Sequence, residues 1–145
     1  MLDNLENYGR SSESLDASRD FNNDGCADLV VTSSIAGIGN ESAKAFLYNP
    51  KTRRFEVSGA LSNIGGLDLD PRDKNCVTSY WKGGAMDYYA ARHCWNKGKL
   101  VMKSEHTVWP TYNGEGELQC FLHVKTDYRG GKKRERTICT KEFNP

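Results

Sequence analysis

Two pairs of cysteines that meet when two hairpins are closed constrain this chain more than any other feature. Segment Asn75–Trp81 alternates as a strand, Lys82-Gly83-Gly84-Ala85-Met86-Asp87 breaks it, and Tyr88–Trp95 resumes it. Folding symmetrically about Ala85 sets Cys76 opposite Cys94. Further on, Gly116–Thr126 and Lys132–Phe143 flank the turn Asp127-Tyr128-Arg129-Gly130-Gly131, and folding there sets Cys120 opposite Cys139. Facing residues of an antiparallel pair have Cα atoms about 4.5–5.5 Å apart, which suits a disulfide. Each bridge would close a loop of about 15–20 residues, worth roughly 3 kcal/mol in the chain-entropy model. Of the five cysteines, Cys26 is then left over. The other reading of five thiols is a cytosolic protein with all of them free. A zinc site is disfavoured, because no Cys-x-x-Cys or close Cys/His pair occurs.

The rest of the chain carries the same punctuation. Asp28–Ile35 reads as a strand, and Ala36-Gly37-Ile38-Gly39-Asn40 as a loop. Ala43–Tyr48 and Arg54–Val57 form a hairpin around Asn49-Pro50-Lys51-Thr52. Ser58–Gly66 is loop-like, Leu67–Leu69 is a short strand, and Asn96-Lys97-Gly98 reverses the chain into Lys99–Trp109, which Pro110 ends. Helical periodicity is absent. The expected fold is all-β, an antiparallel meander curled into a barrel, a sandwich or a partial propeller. Residues 1–19 are expected as an irregular lead-in and 20–145 as one β domain. Leu29, Val31, Phe46, Leu47, Phe55, Val57, Val77, Trp81, Trp95, Leu100, Met102, Val108, Phe121, Val124 and Ile138 are the expected interior.

Charge narrows the partners. A net charge of +1 with pI near 7.6 favours neither nucleic acid nor an anionic membrane. No apolar run reaches the roughly 18 residues of a membrane span. Residues 1–7 are polar and acidic, so no signal peptide is expected as written, and Met1 is expected to start a mature domain freed of its leader. Disulfides would place that domain outside the cytosol. The Asn40-Glu41-Ser42 sequon has meaning only in a glycosylating host.

The stretch Asp20-Phe21-Asn22-Asn23-Asp24-Gly25-Cys26-Ala27-Asp28 runs into the first strand with oxygen-bearing side chains at positions one, three, five and nine. Asp20, Asn22 and Asp24 of a tight turn point at one centre, where the Cys26 carbonyl and Asp28 would complete an oxygen shell for calcium. Gly25 supplies the positive φ of the reversal. An EF-hand fits less well, since Val31 stands where a bidentate Glu is needed and a strand follows. The spacing resembles the calcium hairpins of integrin-type FG-GAP and VCBS repeats. The competing reading is an Asx-rich turn without metal.

Catalytic motifs are missing: no nucleophile elbow, phosphate loop or dinucleotide fingerprint occurs. His93, His106 and His123 lie on separate strands and read as sheet-surface residues. Asp68, Asp70 and Asp73 read as a soluble hairpin tip, and Lys132-Lys133-Arg134, mixed with Glu135, as a solvated strand face. The segment Lys82–Tyr88 differs. Paired glycines, Ala85 and Met86 make either a narrow finger or an ordinary glycine-rich turn, with Tyr80, Trp81, Tyr88 and Tyr89 gathered at its base. Tyrosine and tryptophan dominate interface hot spots, and a stapled hairpin lowers the entropy cost of binding.

In order, the calcium loop, the hairpin Phe46–Glu56, Leu61-Ser62-Asn63, Val77–Tyr88 and Trp95–Leu100 resemble bacterial periplasmic proteins that neutralise peptidoglycan-degrading toxins delivered by type IV or type VI secretion. The resemblance covers about residues 20–103 and extends to the invertebrate-type lysozyme inhibitors. It implies that a small-residue loop ending in Tyr enters the enzyme's cleft. Gly84, Ala85 and Tyr88 stand at the matching positions, with Ser79, Trp81, Lys82, Gly83, Met86 and Asp87 around them. Gly83-Gly84 replaces the more typical Ser-Gly, and the Cys120–Cys139 hairpin lies outside the pattern, which opens an amidase as well as a muramidase as the target. The expectation is a periplasmic immunity protein, not an enzyme, that binds calcium and plugs a secreted cell-wall hydrolase. A calcium-dependent adhesion or glycan-binding module is the alternative. A third reading is a hydrolase built on Asp68, Asp70 or His106.

Overall fold

The computed structural model describes residues 13–34 and 39–145. Expectations for residues 1–12 and 35–38 lie outside the described residues. Ten strands and one short helix follow in chain order: β1 (Glu13–Asp16), β2 (Leu29–Ser34), β3 (Glu41–Asn49), β4 (Arg54–Ser58), α1 (Gly59–Ser62), β5 (Asp68–Leu69), β6 (Cys76–Trp81), β7 (Tyr88–Asn96), β8 (Lys99–Tyr112), β9 (Leu118–Arg129) and β10 (Lys132–Thr140). Every pairing is antiparallel between sequence neighbours, so the chain is an all-β meander. It divides into a four-stranded sheet, β1-β2-β3-β4, and a six-stranded sheet, β10-β9-β8-β7-β6-β5, and neither closes into a barrel.

Residues 13–16, expected in the irregular lead-in, instead form an edge strand with Asp16 opposite Val30. Pro110, expected to end its strand, lies within β8 opposite Phe121. β7 pairs with β8 only as far as Val108, so from Trp109 onward β8 has one neighbour and tolerates a residue without an N–H.

The core between the sheets holds Phe21, Val30, Ala45, Leu61, Ile64 and Val77. Leu29, Val31 and Phe46 are only partly buried, and Phe55, Val57 and Ile138 are exposed at 48%, 61% and 52%. The three exposed residues are corrections to the expected interior, whereas Leu47, Trp81, Trp95, Leu100, Met102 and Val124 are partly buried like Leu29. The parity of β2 is set by a polar residue. Asp28 is buried and its carboxylate accepts from the Phe21 N–H (2.7 Å) and the Tyr48 N–H (3.0 Å). With Asp28 turned inward, the two-residue period of a strand sends Val30 in and Leu29 and Val31 to the other face. Across the ladder, Val30 meets Ala45, while Leu29 meets Phe46.

Both expected disulfides are present. Cys76 faces Cys94 in register, with a Cα–Cα distance of 4.0 Å. Cys120 and Cys139 are bonded with Cα atoms 5.7 Å apart, but they are not directly opposite, because Cys139 pairs with Leu122. The expected register is corrected by two residues. The turn contains only Gly130 and Gly131, at φ 55° and 76°, and Arg129 already pairs with Lys132. Two successive positive φ values make the tight turn whose twist matches a hairpin. The cysteines bond on the diagonal.

The sheets are tied by backbone as well as by core. The Gly66 N–H donates to the Glu41 carbonyl (2.8 Å), and the Tyr80 N–H donates to the Gly65 carbonyl (3.1 Å). Trp95 Nε1 donates to the Phe21 carbonyl (2.8 Å). The segment after α1 therefore serves as a seam between β3 and β6.

Candidate partner-binding site

β6 and β7 pair as far as Trp81 and Tyr89, and residues 82–87 form the tip beyond them. Gly83, Ala85 and Met86 are exposed, Met86 at 39%. Lys82, Gly84 and Asp87 are partly buried. The root of the tip is held on three sides. Asn40, buried at 1% exposure, accepts from the Lys82 N–H (2.8 Å) and donates through Nδ2 to the Lys82 carbonyl (2.7 Å). The rings of Tyr80 and Tyr88 meet edge to face at 5.3 Å, with Lys82 Nζ 5.8 Å from the Tyr80 ring centre. The Trp81 ring lies so close to Gly65 that a Cβ there would come within 2.7 Å of it. Asn40 also closes the sequon, since its amide nitrogen is buried and committed.

The expected contact residues therefore separate. Lys82, Gly83, Gly84, Ala85, Met86 and Asp87 belong to the tip, and Tyr88 buttresses it. Trp81 is packed against the seam. Ser79 is buried, and its Oγ has no hydrogen-bond partner. Asn40 was missed as a site residue, because nothing local in the sequence links it to a segment 42 residues away.

The loop before β2 is internally hydrogen-bonded. Asp20 accepts from the N–H groups of Asp24 (3.2 Å) and Gly25 (2.8 Å), and Asp24 accepts from the Cys26 N–H (2.8 Å) and from Asn22 Nδ2 (3.0 Å). Asn22 Oδ1 is buried without a partner. An orphaned acceptor between Asp20 and Asp24 fits a hard cation, and each carboxylate oxygen keeps a second lone pair. Asp28 is buried, and its carboxylate accepts from the Phe21 and Tyr48 amides with one lone pair left on each oxygen. Among the described residues, the one cluster of three acidic, cysteine or histidine ligand atoms within 4.8 Å is Asp73 with Cys76 and Cys94, whose sulfurs form their disulfide. The oxygen set available in the loop is the expected one, the side chains of Asp20, Asn22, Asp24 and Asp28 with the Cys26 carbonyl.

Two polar clusters replace bland expectations. Asp70 is buried and salt-bridged to Arg72 Nε (3.0 Å) and to Arg92 Nε. Burial pushes its carboxyl up, but the bonds from Arg72, side chain and backbone, and from Arg92 outweigh that and hold it well below the usual range. His123 is buried rather than on the sheet surface. Thr140 Oγ1 donates to the Glu142 carbonyl (2.9 Å), so it accepts from His123 Nε2 (2.9 Å); His123 Nδ1 is left to accept from His106 Nε2 (3.0 Å). Burial first, then nearby Lys125, holds both imidazoles below the ordinary histidine range. The pair ties β8 and β9 to the end of β10.

Two cavities flank the root of the tip on opposite faces of the six-stranded sheet. One, of about 630 Å³, is lined by Ile64, Trp81, Tyr89, His93, Leu100 and Met102 among others and carries no charged side chain. The other, of about 490 Å³, is lined by Tyr80, Tyr88, Arg92, His106, Lys125 and Arg136 among others.

No known protein-family profile matches the chain. A solved structure described as a Xanthomonas type IV secretion system related protein superposes on 93% of this chain and 62% of that one, with a TM-score of 0.59 at 21% identity. That likeness shows a shared fold. A methionine-rich protein of Lottia gigantea is 26% identical over 73 residues, which are 50% of this chain and 27% of that protein. The chain thus covers less than two thirds of either. The two disulfides are compatible with an extracytoplasmic location, and among the described residues no helix is long and apolar enough to cross a membrane.

Proposed function

We propose that this is a periplasmic immunity protein that binds a secreted peptidoglycan hydrolase and occludes its active-site groove with the tip Lys82–Tyr88. One observation carries the reading: an exposed, glycine-containing loop is held at its root by Asn40 and by Tyr88 against Tyr80, on a hairpin whose far end is closed by the Cys76–Cys94 disulfide. An exposed loop fixed before binding loses little entropy on docking. The shared fold with a type IV secretion related protein supports a secretion-system setting. Calcium at Asp20, Asn22 and Asp24 would brace the loop that enters β2, a structural role. The target is a muramidase or an amidase. A glycan-binding module is the second reading, favoured by the charge-free cavity beside Trp81 and Tyr89.

Mixing the protein with peptidoglycan and candidate secreted hydrolases tests this. Stoichiometric loss of hydrolase activity, abolished by Ala85→Arg with an unchanged melt, is the expected result. Inhibition that survives Ala85→Arg would move the plug elsewhere, and peptidoglycan binding without inhibition would favour the second reading.

A further inference from the structure

Read along the chain, Lys132-Lys133-Arg134-Glu135-Arg136 is a mixed run. The pleat sorts it. Lys132 faces Arg129, Arg134 faces Asp127, and Arg136 faces Lys125 across the β9–β10 ladder, so these six side chains share one face of the sheet. Lys133 and Glu135 fall on the other face, where they pair at 3.1 Å. Residues 125–136 hold net charge +4 against +1 for the whole chain, which leaves the remainder at −3.

Two of the three cross-strand pairs, Lys125 with Arg136 and Arg129 with Lys132, set like charges directly opposite each other. Such pairs are destabilising. Asp127 is the single acid among the six, and Arg136 reaches it only at 3.9 Å. Arg72 and Arg92, farther across this face, are already occupied by Asp70. The uncompensated charge is therefore concentrated on the β9–β10 hairpin. It adjoins the 490 Å³ cavity, whose walls include Lys125 and Arg136 at one end and Tyr80 and Tyr88, the root of the tip, at the other.

We propose that this face docks an extended acidic polypeptide segment. Same-face residues on a strand recur about every 6.6–6.8 Å, so Lys132, Arg134 and Arg136 match Asp or Glu at alternate positions of an extended chain. A single-stranded nucleic acid calls for free aromatic platforms, whereas Tyr80, Tyr88 and His106 pack edge to face on one another. A membrane is flat, and this face is hollowed. The inference extends the preceding reading, that a protein partner is bound, to the charge of that partner beside the plugged groove.

The test titrates the intact protein with a fluorescein-labelled dodecapeptide of alternating Glu and Thr, followed by anisotropy. Binding should weaken as salt rises. Arg134→Glu or Lys132→Glu should lower affinity by at least about fivefold, and Lys133→Glu, with the same change in net charge, by less than about twofold. Equal losses from Arg134→Glu and Lys133→Glu, or no binding by the intact protein, overturn the proposal. So does tighter binding to a single-stranded oligonucleotide or to phosphatidylglycerol vesicles. Ala85→Arg should leave the peptide affinity unchanged while ending hydrolase inhibition, so the failure of either reading is seen separately.

Discussion

Asn40 and Lys82, 42 residues apart and in different sheets' connections, exchange two hydrogen bonds through one buried amide. The Lys82 N–H and carbonyl lie just past the last β6–β7 pair, where no ladder partner remains. Asn40 supplies both a donor and an acceptor from one side-chain amide, one for each Lys82 group.

Replacing Asn40 by Ala should cost about 2 kcal/mol, the usual scale for stranding buried backbone groups. For a chain of this length that lowers the melting temperature by roughly 4–8 °C. Asn40→Asp should be nearly as harmful, because it keeps the acceptor and loses the donor. Hydrogen exchange at the Lys82 amide should accelerate in both variants. Unchanged protection at Lys82 would show that the root of the tip is held by the aromatic packing alone.

The seam gives a sharper contrast between two glycines. Gly66 sits at φ 59°, and a Cβ there would lie 2.4 Å from the Tyr80 carbonyl oxygen, which is backbone and cannot step aside. Gly66→Ala combines a left-handed conformation with a clash and should cost more than about 2 kcal/mol. Gly59 opens α1 with nothing within 4 Å of such a Cβ. Gly59→Ala should be neutral or stabilise by about 0.4–1 kcal/mol. Paired urea melts decide it, and similar midpoints for the two variants would dismiss the seam as a constraint.

These long-range contacts mark the limit of what the chain discloses when read as a string. The meander was legible because each hairpin carries its own turn: Asn49-Pro50, Lys97-Gly98 and Gly130-Gly131 act within a few residues. Cysteine pairing was legible for the same reason, although the Gly-Gly turn proved shorter than the polar run around it implied. Parity was not. Leu29 and Val31 look more like core than Val30, yet Asp28 decides the matter by giving its carboxylate to the amides of Phe21 and Tyr48. Phe21 itself was hidden inside a loop read for its oxygens. The site divided likewise, with its tip visible in the glycines and its clamp at Asn40 invisible.

Acid should report on Asp70. Its folded-state carboxyl is held below the usual range, so the folded state binds fewer protons than the unfolded chain in that interval. The stabilisation is complete above the unfolded carboxylate pKa of about 3.9 and is lost as pH falls from there toward the lower folded value. Asp70→Asn should lower stability at pH 7 and flatten the melting curve's dependence on pH below about 4. Because Arg72 is largely exposed, the variant strands little charge there; Arg92, only 28% exposed, bears most of the loss. A parental protein and variant with the same acid midpoint would remove Asp70 from the account.

The orphaned oxygen of Asn22 separates a metal loop from an ordinary turn. Without metal, Asn22→Ala removes a buried unpaired acceptor and one exposed bond to Asp24, so its melt in chelator should nearly match the parent's. With calcium at about a hundred times its dissociation constant, the parent should gain about 2.7 kcal/mol and the variant far less. Asp24→Ala should also lose the calcium response, but it should melt lower even in chelator, because it gives up the Cys26 amide. Magnesium should substitute poorly, since it demands a tighter octahedral shell than this loop's mixed side-chain and carbonyl oxygens provide. If calcium leaves the parental melt where chelator leaves it, the loop is an Asx turn and Asn22 Oδ1 is satisfied by water.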